Sequence, residues 1–183
     1  MEKFKRYAII LSLIESLMKN NSWCGETHIQ KTTYFLQEML RVPLGFEFIL
    51  YKHGPFSFGL SDELMAMRAN MMVELKSHLP YGPSIVPGPT SGQLKRLFPN
   101  TIKKYCKEVE FVAKEMGSYN VADLERVATA LYVILKTENR EKTSDMASYI
   151  NKIKPHISVE KAHIALEQEA TINHKAKELI QSP

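Results

Sequence analysis

The sequence predicts a mainly helical fold of the α+β class. Apolar residues recur at helical spacing in the N-terminal segments, residues 46–92 combine a strand-like run with proline-rich turns, and the pattern after Gly92 is helical. Of the 183 residues, 44% are hydrophobic and 24% are charged, which is typical of globular proteins. The length corresponds to one ordinary domain or two small ones.

The first two elements are predicted to be helices. Within Lys3–Lys19 the apolar residues recur every three or four positions, which is the spacing of one helical face. The polar run 20–22 ends this helix. Thr27 is a candidate N-cap for a second helix, which continues until Pro43 and Gly45 interrupt the pattern.

The middle of the chain is predicted to form strands around a third helix. Residues 46–51 are rich in aromatic and β-branched side chains, and the turn 53–55 closes this strand. Ser57 or Ser61 caps the third helix, which is followed by a short strand over 71–75. Because residues 77–92 are rich in proline and glycine, they are expected to form a turn-rich β-hairpin or a linker.

The second half of the chain is predicted to be entirely helical. Its helices cover 94–116, with a kink or break at Pro99, then 121–136, 144–153 and 159–180. Asn120 followed by Asp123 resembles a capping box, and Gly117 and Pro155 occupy positions where helices end.

The order of these elements predicts a winged-helix-like unit with a small β-hairpin over residues 1–92. A helical part over 93–183 then either packs on this unit or mediates dimerisation. Element order does not define a function, because one fold supports many functions.

Two motifs within this unit resemble those of a known family. The segments IQKTTYFL (29–36) and YKHGPFS (51–57) are similar to the L/I-Q-K-x-x-Y/F-x-L helix and the Y-x-Y/H-G-P-Y/F-S turn of the YwgA-like group of small bacterial and archaeal proteins. The segment 154–160 resembles the K-P-x-F/I-S-x-E boundary of that group. A more distant resemblance is to the Panacea-domain, phage-associated antitoxin group. The resemblance implies a winged helix with a helical C-terminal part, and it suggests neutralisation of a partner protein.

Nucleic acid is a candidate partner. The 24 Lys and Arg residues exceed the 20 Asp and Glu residues, a net charge of +4. A winged helix places its third helix in the major groove, but here that helix carries Asp62 and Glu63 against Arg68. The densest cations follow the expected wing, and a solvated helix face is the alternative interpretation of them. The candidate nucleic-acid-binding residues are Lys31, Lys52, His53, Ser57, Ser61, Arg68, Lys95, Arg96, Lys103, Lys104 and Lys107.

The sequence gives little support for metal binding or catalysis. Glu160 and His163 have the Glu-x-x-His spacing of di-iron helices, but the step occurs once, and exposed helix charge explains it more simply. Cys24 and Cys106 are far apart and have no CxxC spacing, which indicates neither a disulfide framework nor a thiolate zinc site. Motifs for nucleophile elbows, phosphate loops and dinucleotide binding are also missing. We therefore expect no metal, no cofactor and no enzymatic activity.

The function predicted from sequence is that of a winged-helix interaction protein. One hypothesis is a DNA-binding transcriptional regulator that binds double-stranded DNA. The other is an antitoxin-like module that binds and neutralises a partner protein, and a homodimer is compatible with both. The apolar run 7–14 is too short to span a bilayer, and no signal peptide is recognisable, so a cytoplasmic location is expected.

Overall fold

The structure is a computed structural model that describes residues 1–78, 81–137 and 143–181. It is mainly helical with two small antiparallel hairpins, as the sequence predicts. The described helices are α1 (Lys3–Lys19), α2 (Glu26–Glu38), α3 (Phe58–Ala69), α4 (Ser91–Leu97), α5 (Pro99–Lys104), α6 (Cys106–Met116), α7 (Val121–Lys136), α8 (Thr143–Ile153) and α9 (Val159–Gln181). The described strands are β1 (Ile49–Tyr51), β2 (Gly54–Phe56), β3 (Val73–His78) and β4 (Tyr81–Pro87).

Helices α1 and α2 form the centre of the core. α1 is buried continuously from Tyr7 to Leu11, because α2, α4, α5, α6 and β4 all pack around it. α2 is buried continuously from His28 to Leu36, although several of these residues are polar. Polar groups in such a position need internal hydrogen-bond partners. The polar side chains of α2 therefore determine which segments can pack against it.

Two hairpins flank α3. β1 pairs with β2, and β3 pairs with β4 so that Leu75 lies opposite Ile85. The amide of Ile85 also donates a hydrogen bond to the carbonyl oxygen of Cys24 at 2.8 Å, which ties β4 to the loop before α2. The region 77–92, predicted as a turn-rich hairpin or linker, supplies the end of β3, the strand β4 and the start of α4. It therefore forms a hairpin with the strand predicted over 71–75, and residues 79 and 80 lie outside the described residues. The order α1, α2, β1–β2, α3, β3–β4 follows the predicted alternation of helices and strands, with an additional strand, β2, in the segment predicted as a turn.

Both predicted strands begin later than expected. The strand predicted over 46–51 pairs only from Ile49, because the side chain of Gln37 accepts from the amide of Phe46 and donates to its carbonyl oxygen, both at 2.8 Å. Phe46 therefore needs no strand partner. The strand predicted over 71–75 begins at Val73, because Met71 has a left-handed backbone with φ of 56°.

The break predicted at Pro99 within the helical segment 94–116 is confirmed, but the chain breaks a second time at Tyr105 and so forms α4, α5 and α6 there. Pro99 begins α5, since a residue without an amide hydrogen suits a first helical turn. Tyr105 then leaves helical geometry with φ of −112° and ψ of 16°, which separates α5 from α6. The second helix starts at Glu26 with Gly25 as N-cap, instead of being capped by Thr27.

Other predicted helix ends are confirmed. The Ser57 hydroxyl accepts from the amide of Leu60 at the start of α3, and the Asn120 side chain accepts from the amide of Asp123 at the start of α7. Gly117 caps the end of α6.

The helical C-terminal part packs on the N-terminal unit. α1 contacts α6, and α2 contacts both α6 and α7. Buried apolar side chains from Tyr7 to Ala176 belong to one cluster, so a shared core crosses the predicted boundary at Gly92. Among the described residues, no helix combines the length and the apolar character that crossing a bilayer requires.

Candidate functional site

A groove lies between the start of α2, one face of α3 and the β3–β4 hairpin. Ser61, Leu64, Met65 and Arg68 form its α3 wall, and their i, i+3, i+4, i+7 spacing places them on one helical face. The remaining lining residues are Trp23, Gly25, Glu26, Thr27, His28, Val73, Leu75, Gly82, Pro83, Ile85 and Val121. The groove has a volume of about 500 Å³. We call it the main groove.

The rim of the main groove exposes large apolar side chains. Trp23 is 37% exposed, Met65 60%, Leu75 42% and Val121 43%. These residues come from the loop before α2 and from α3, β3 and α7, so the patch exists only in the folded chain. Single exposed apolar residues are ordinary on protein surfaces, but a contiguous group around a recess is typical of binding sites.

A second recess of about 350 Å³ adjoins the main groove, and we call it the side depression. Glu26, Thr27 and Ser61 line both recesses, and the Ser61 hydroxyl donates to Oε1 of Glu26 at 2.7 Å where they meet. The other lining residues are Lys31, Tyr51, Lys52, His53 and Phe56. The two recesses therefore form one continuous surface along α3.

An aromatic cluster borders the side depression. The rings of Tyr51, Phe56 and Phe58 have centroids 5.1–5.7 Å apart, and Phe58 is 55% exposed at the first position of α3. The exposed surface near the start of α3 is therefore apolar and aromatic.

Two buried lysines hold the β1–β2 hairpin by hydrogen bonds to its backbone. Lys31 on α2 is 1% exposed, and its Nζ donates to the carbonyl oxygen of Pro55 at 2.8 Å. Lys154, after α8, donates to the carbonyl oxygens of Tyr51 and Lys52 at the hairpin turn. The hairpin is thus held by segments that are remote from it in sequence.

Glu125 of α7 connects these groups. Its side chain is 8% exposed, and it accepts from Nε2 of His156 at 3.0 Å while its other oxygen lies 3.4 Å from Nδ1 of His53. Nζ of Lys154 is 4.0 Å from the same carboxylate. We call Lys31, His53, Glu125, Lys154 and His156 the anchor network. It fixes the hairpin that forms one end of the side depression.

Burial changes the acidity of the anchor lysines. Removal from water lowers the pKa of Lys31 to about 8, although the negative charge of Glu125 acts in the opposite direction. Burial also lowers the pKa of Lys154, and Glu125 again opposes the shift. Both ammonium groups are used within the fold, because each donates hydrogen bonds to backbone carbonyl oxygens of the β1–β2 hairpin.

Gln30 fixes the junction between β2 and α3. Its side-chain amide donates to the carbonyl oxygen of Ser57 and accepts from the amide of Ser57, each at 2.9 Å. Since Ser57 is also the N-cap of α3, this pair sets where the helix begins relative to α2. The consecutive residues Gln30 and Lys31 therefore orient α3 and the hairpin, respectively.

The structure buries two of the predicted nucleic-acid contacts. Lys31 and Ser57 are each 1% exposed, and their polar groups are engaged inside the protein as described above. Neither can reach a phosphate. Lys52, His53, Ser61 and Arg68 do line the two recesses, so the structure brings these four predicted residues together on one surface.

The other predicted cations lie elsewhere. Lys95, Arg96, Lys103, Lys104 and Lys107 lie on α4, α5 and α6, which pack against α1, and none of them lines the recesses described here. Lys95 forms an ion pair with Glu15 at 2.9 Å, and Lys104 lies over the ring of Tyr105. Lys52 and His53 therefore lie at the side depression, which none of these cations lines.

The cysteines and the Glu-x-x-His step belong to no metal-binding cluster within the described residues. Cys24 and Cys106 are free, and burial raises the pKa of the Cys24 thiol to about 12, which disfavours the thiolate. No group of three or more histidine, cysteine or acidic side chains in 1–78, 81–137 and 143–181 is arranged to hold a metal ion. His163 and Glu160 remain ordinary members of α9.

Sequence reasoning missed the apolar rim of the main groove and the role of Glu125. In the sequence, Leu60, Leu64 and Met67 define the face of α3 that is predicted to be buried. Met65 is apolar but lies outside this face, and that position is the signal that indicates an exposed apolar rim. Trp23 and Val121 carry no such signal, because they meet α3 only through the tertiary fold.

Comparison with known proteins adds no family assignment. The geometry above defines a mainly helical protein with an apolar groove along α3. No protein-family model matches the chain, and no curated protein matches it significantly.

Proposed function

We propose that this protein is a non-enzymatic interaction protein that binds a partner protein through the main groove and the side depression. The observation that carries the proposal is the exposed apolar rim formed by Trp23, Met65, Leu75 and Val121. Apolar and aromatic side chains around a preformed recess supply the anchors that protein interfaces use. This agrees with the protein-binding alternative suggested by the resemblance to antitoxin-like proteins.

The composition of α3 favours a protein over DNA as the ligand of this surface. Its outward residues include Phe58, Met65 and Asp62, while Arg68 is its one cation. Duplex binding draws much of its affinity from cations that contact phosphates. A helix with this surface would offer a major groove few such contacts and would expose apolar side chains to charged phosphates.

Site-specific photo-crosslinking in the native host tests this proposal. A photo-reactive phenylalanine analogue replaces Met65 or Leu75 on the groove rim, and Ile164 on α9, 54% exposed, serves as the matched control. We expect a discrete protein adduct at positions 65 and 75 that is missing at 164. Adducts of equal yield at all three positions, or adducts that nuclease treatment removes, would contradict the proposal.

DNA binding remains a second candidate function because α4, α5 and α6 present exposed cations. Arg96, Lys103, Lys104 and Lys107 are all exposed on this surface. These cations lie on other helices than α3. A duplex would therefore contact them through its phosphate backbone instead of receiving α3 in its major groove.

A salt series distinguishes the two functions. Random duplex DNA that binds through these cations should lose affinity linearly in log salt concentration, and Lys103→Glu with Lys104→Glu should weaken binding to all sequences alike. Lys161→Glu, an exposed change on α9, is the control. Undetectable binding at about 50 mM salt, or unchanged affinity of the double variant, would exclude this surface as a DNA site.

A further inference from the structure

We infer that the occupant of the main groove and side depression is an acidic amphipathic segment of a partner protein, with apolar anchors between carboxylates. This inference rests on the proposed function and specifies the chemistry of the partner. It follows from where the unpaired positive charges lie along the continuous surface, as well as from the apolar rim.

The apolar part of the surface lies in the middle. Leu64, Val73 and Ile85 form the floor of the main groove and are almost completely buried, whereas Met65 and Leu75 stand exposed on opposite walls. A side chain that enters between these walls would lose water on several sides. Hydrophobic anchors of a partner segment gain most free energy in such a position.

Cations lie at both ends of this apolar stretch. Arg68 lines the far end of the main groove, and Lys52 lines the side depression beside His53. Neither Arg68 nor Lys52 forms an ion pair with any residue that the structure describes. Both side chains are exposed, so they are available to carboxylates of a ligand.

The acidic groups near the surface lie mostly outside its lining, because Asp62 on α3 and Glu74 on β3 are exposed but line neither recess. Among the described residues, Glu26 is the one carboxylate that lines the two recesses, and it accepts the hydrogen bond from Ser61 between them. Glu63 faces away and pairs with Arg6, with Nε of Arg6 2.8 Å from Oε2. The ends of the surface are therefore positive, and charge complementarity favours an acidic partner.

The separation of the cations sets the length of the partner segment. Ser61 marks the junction of the recesses, and seven residues of α3 separate it from Arg68, a rise of about 10 Å. Lys52 lies beyond Ser61 in the side depression. We expect the carboxylates of the segment at a comparable spacing, which corresponds to about two helical turns or three extended residues.

Peptide selection on the full chain tests this inference. A displayed random library of peptides of about 12 residues, long enough for three helical turns, is selected on the wild-type protein with counter-selection on Met65→Asp. Selected sequences are then synthesised with a fluorescent label and titrated by anisotropy. A charge-swapped version of each peptide, with its Asp and Glu replaced by Lys, is titrated in parallel.

We expect the selected peptides to combine apolar residues with Asp or Glu at both ends. Arg68→Glu with Lys52→Glu should weaken their binding about tenfold and should improve binding of the charge-swapped peptides. Lys161→Glu, an exposed change on α9, should leave both affinities unchanged. Circular dichroism of each variant establishes that the helices are intact.

Different outcomes of this experiment would overturn the acidic partner and the proposed function. Peptides that are sensitive to Met65→Asp but equally tight in acidic and charge-swapped forms would overturn the acidic partner and leave the groove as a protein-binding site. If no selected peptide is sensitive to Met65→Asp, the groove does not bind peptides, and both conclusions are overturned.

Discussion

At the scale of single residues, Glu169 of α9 is a buried acid in the core. It is 2% exposed, and its Oε1 has no hydrogen-bond partner among the described residues. Burial raises the pKa of Glu169 to about 7, while Lys177 and Asn173 act in the opposite direction. The folded state therefore binds this proton more tightly than the unfolded state does.

The raised pKa of Glu169 determines how the free energy of unfolding depends on pH. The contribution of the Glu169 proton to the free energy of unfolding is fully present below about pH 4.5 and is lost as the pH rises through about 7. Glu169→Gln should therefore raise the free energy of unfolding by about 1–2 kcal/mol at pH 8 and have little effect near pH 5. Urea denaturation at both pH values measures this.

Glu167→Gln is the matched control for this prediction, because Glu167 is exposed on the same helix. It should change stability little at either pH. A stabilisation by Glu169→Gln that is equal at pH 5 and pH 8 would contradict the assigned protonation of the buried carboxyl.

At the scale of elements, the β1–β2 hairpin depends on a close approach of its backbone to α7. Gly54 has φ of 82°, and a Cβ there would lie 3.1 Å from Oγ1 of Thr129 and 3.3 Å from the carbonyl oxygen of Glu125. A glycine is required both by the left-handed backbone and by the space. The GP step of the hairpin motif thus has a structural role at the edge of the side depression.

Paired glycine substitutions separate these two effects. Gly45 has φ of 80°, but a Cβ there would meet nothing within 4 Å. Gly45→Ala should therefore cost about 1 kcal/mol from the backbone alone, and Gly54→Ala should cost about 1 kcal/mol more from crowding against α7. Denaturant titration of both variants measures the difference, and equal costs would mean that the hairpin moves freely away from α7.

Local signals predicted several elements well, and long-range hydrogen bonds explain where they failed. α7 matches its predicted bounds, because Asn120 and Asp123 form the expected cap and the apolar spacing is regular. β1 is shorter than predicted because Gln37, from α2, satisfies the backbone of Phe46. Sequence spacing does not reveal such a contact, because it forms only when α2 and the loop before β1 fold together.

At the scale of the whole molecule, one core unites the two predicted halves. The helix α2, in the first predicted half, contacts α6 and α7, and the anchor network connects the hairpin to α7 and to the segment after α8. Neither half buries its apolar surfaces alone. The candidate site could not be predicted from sequence for the same reason, since Trp23, Met65 and Val121 meet only in the complete fold.

A shared core predicts cooperative unfolding. Trp23, the single tryptophan, reports on the main groove by its fluorescence, whereas far-UV circular dichroism reports mostly on the helices. We expect the two signals to change at the same denaturant concentration. Two separate midpoints would indicate that residues 1–92 and 93–183 unfold as independent domains.

The central claim is that the main groove binds a partner protein. Titration calorimetry with the purified partner that photo-crosslinking identifies tests it most directly. Met65→Asp should weaken binding at least about tenfold, because it places a carboxylate among apolar side chains, while Ile164→Asp should bind like the wild type. Equal affinity of Met65→Asp and the wild-type protein would contradict the claim.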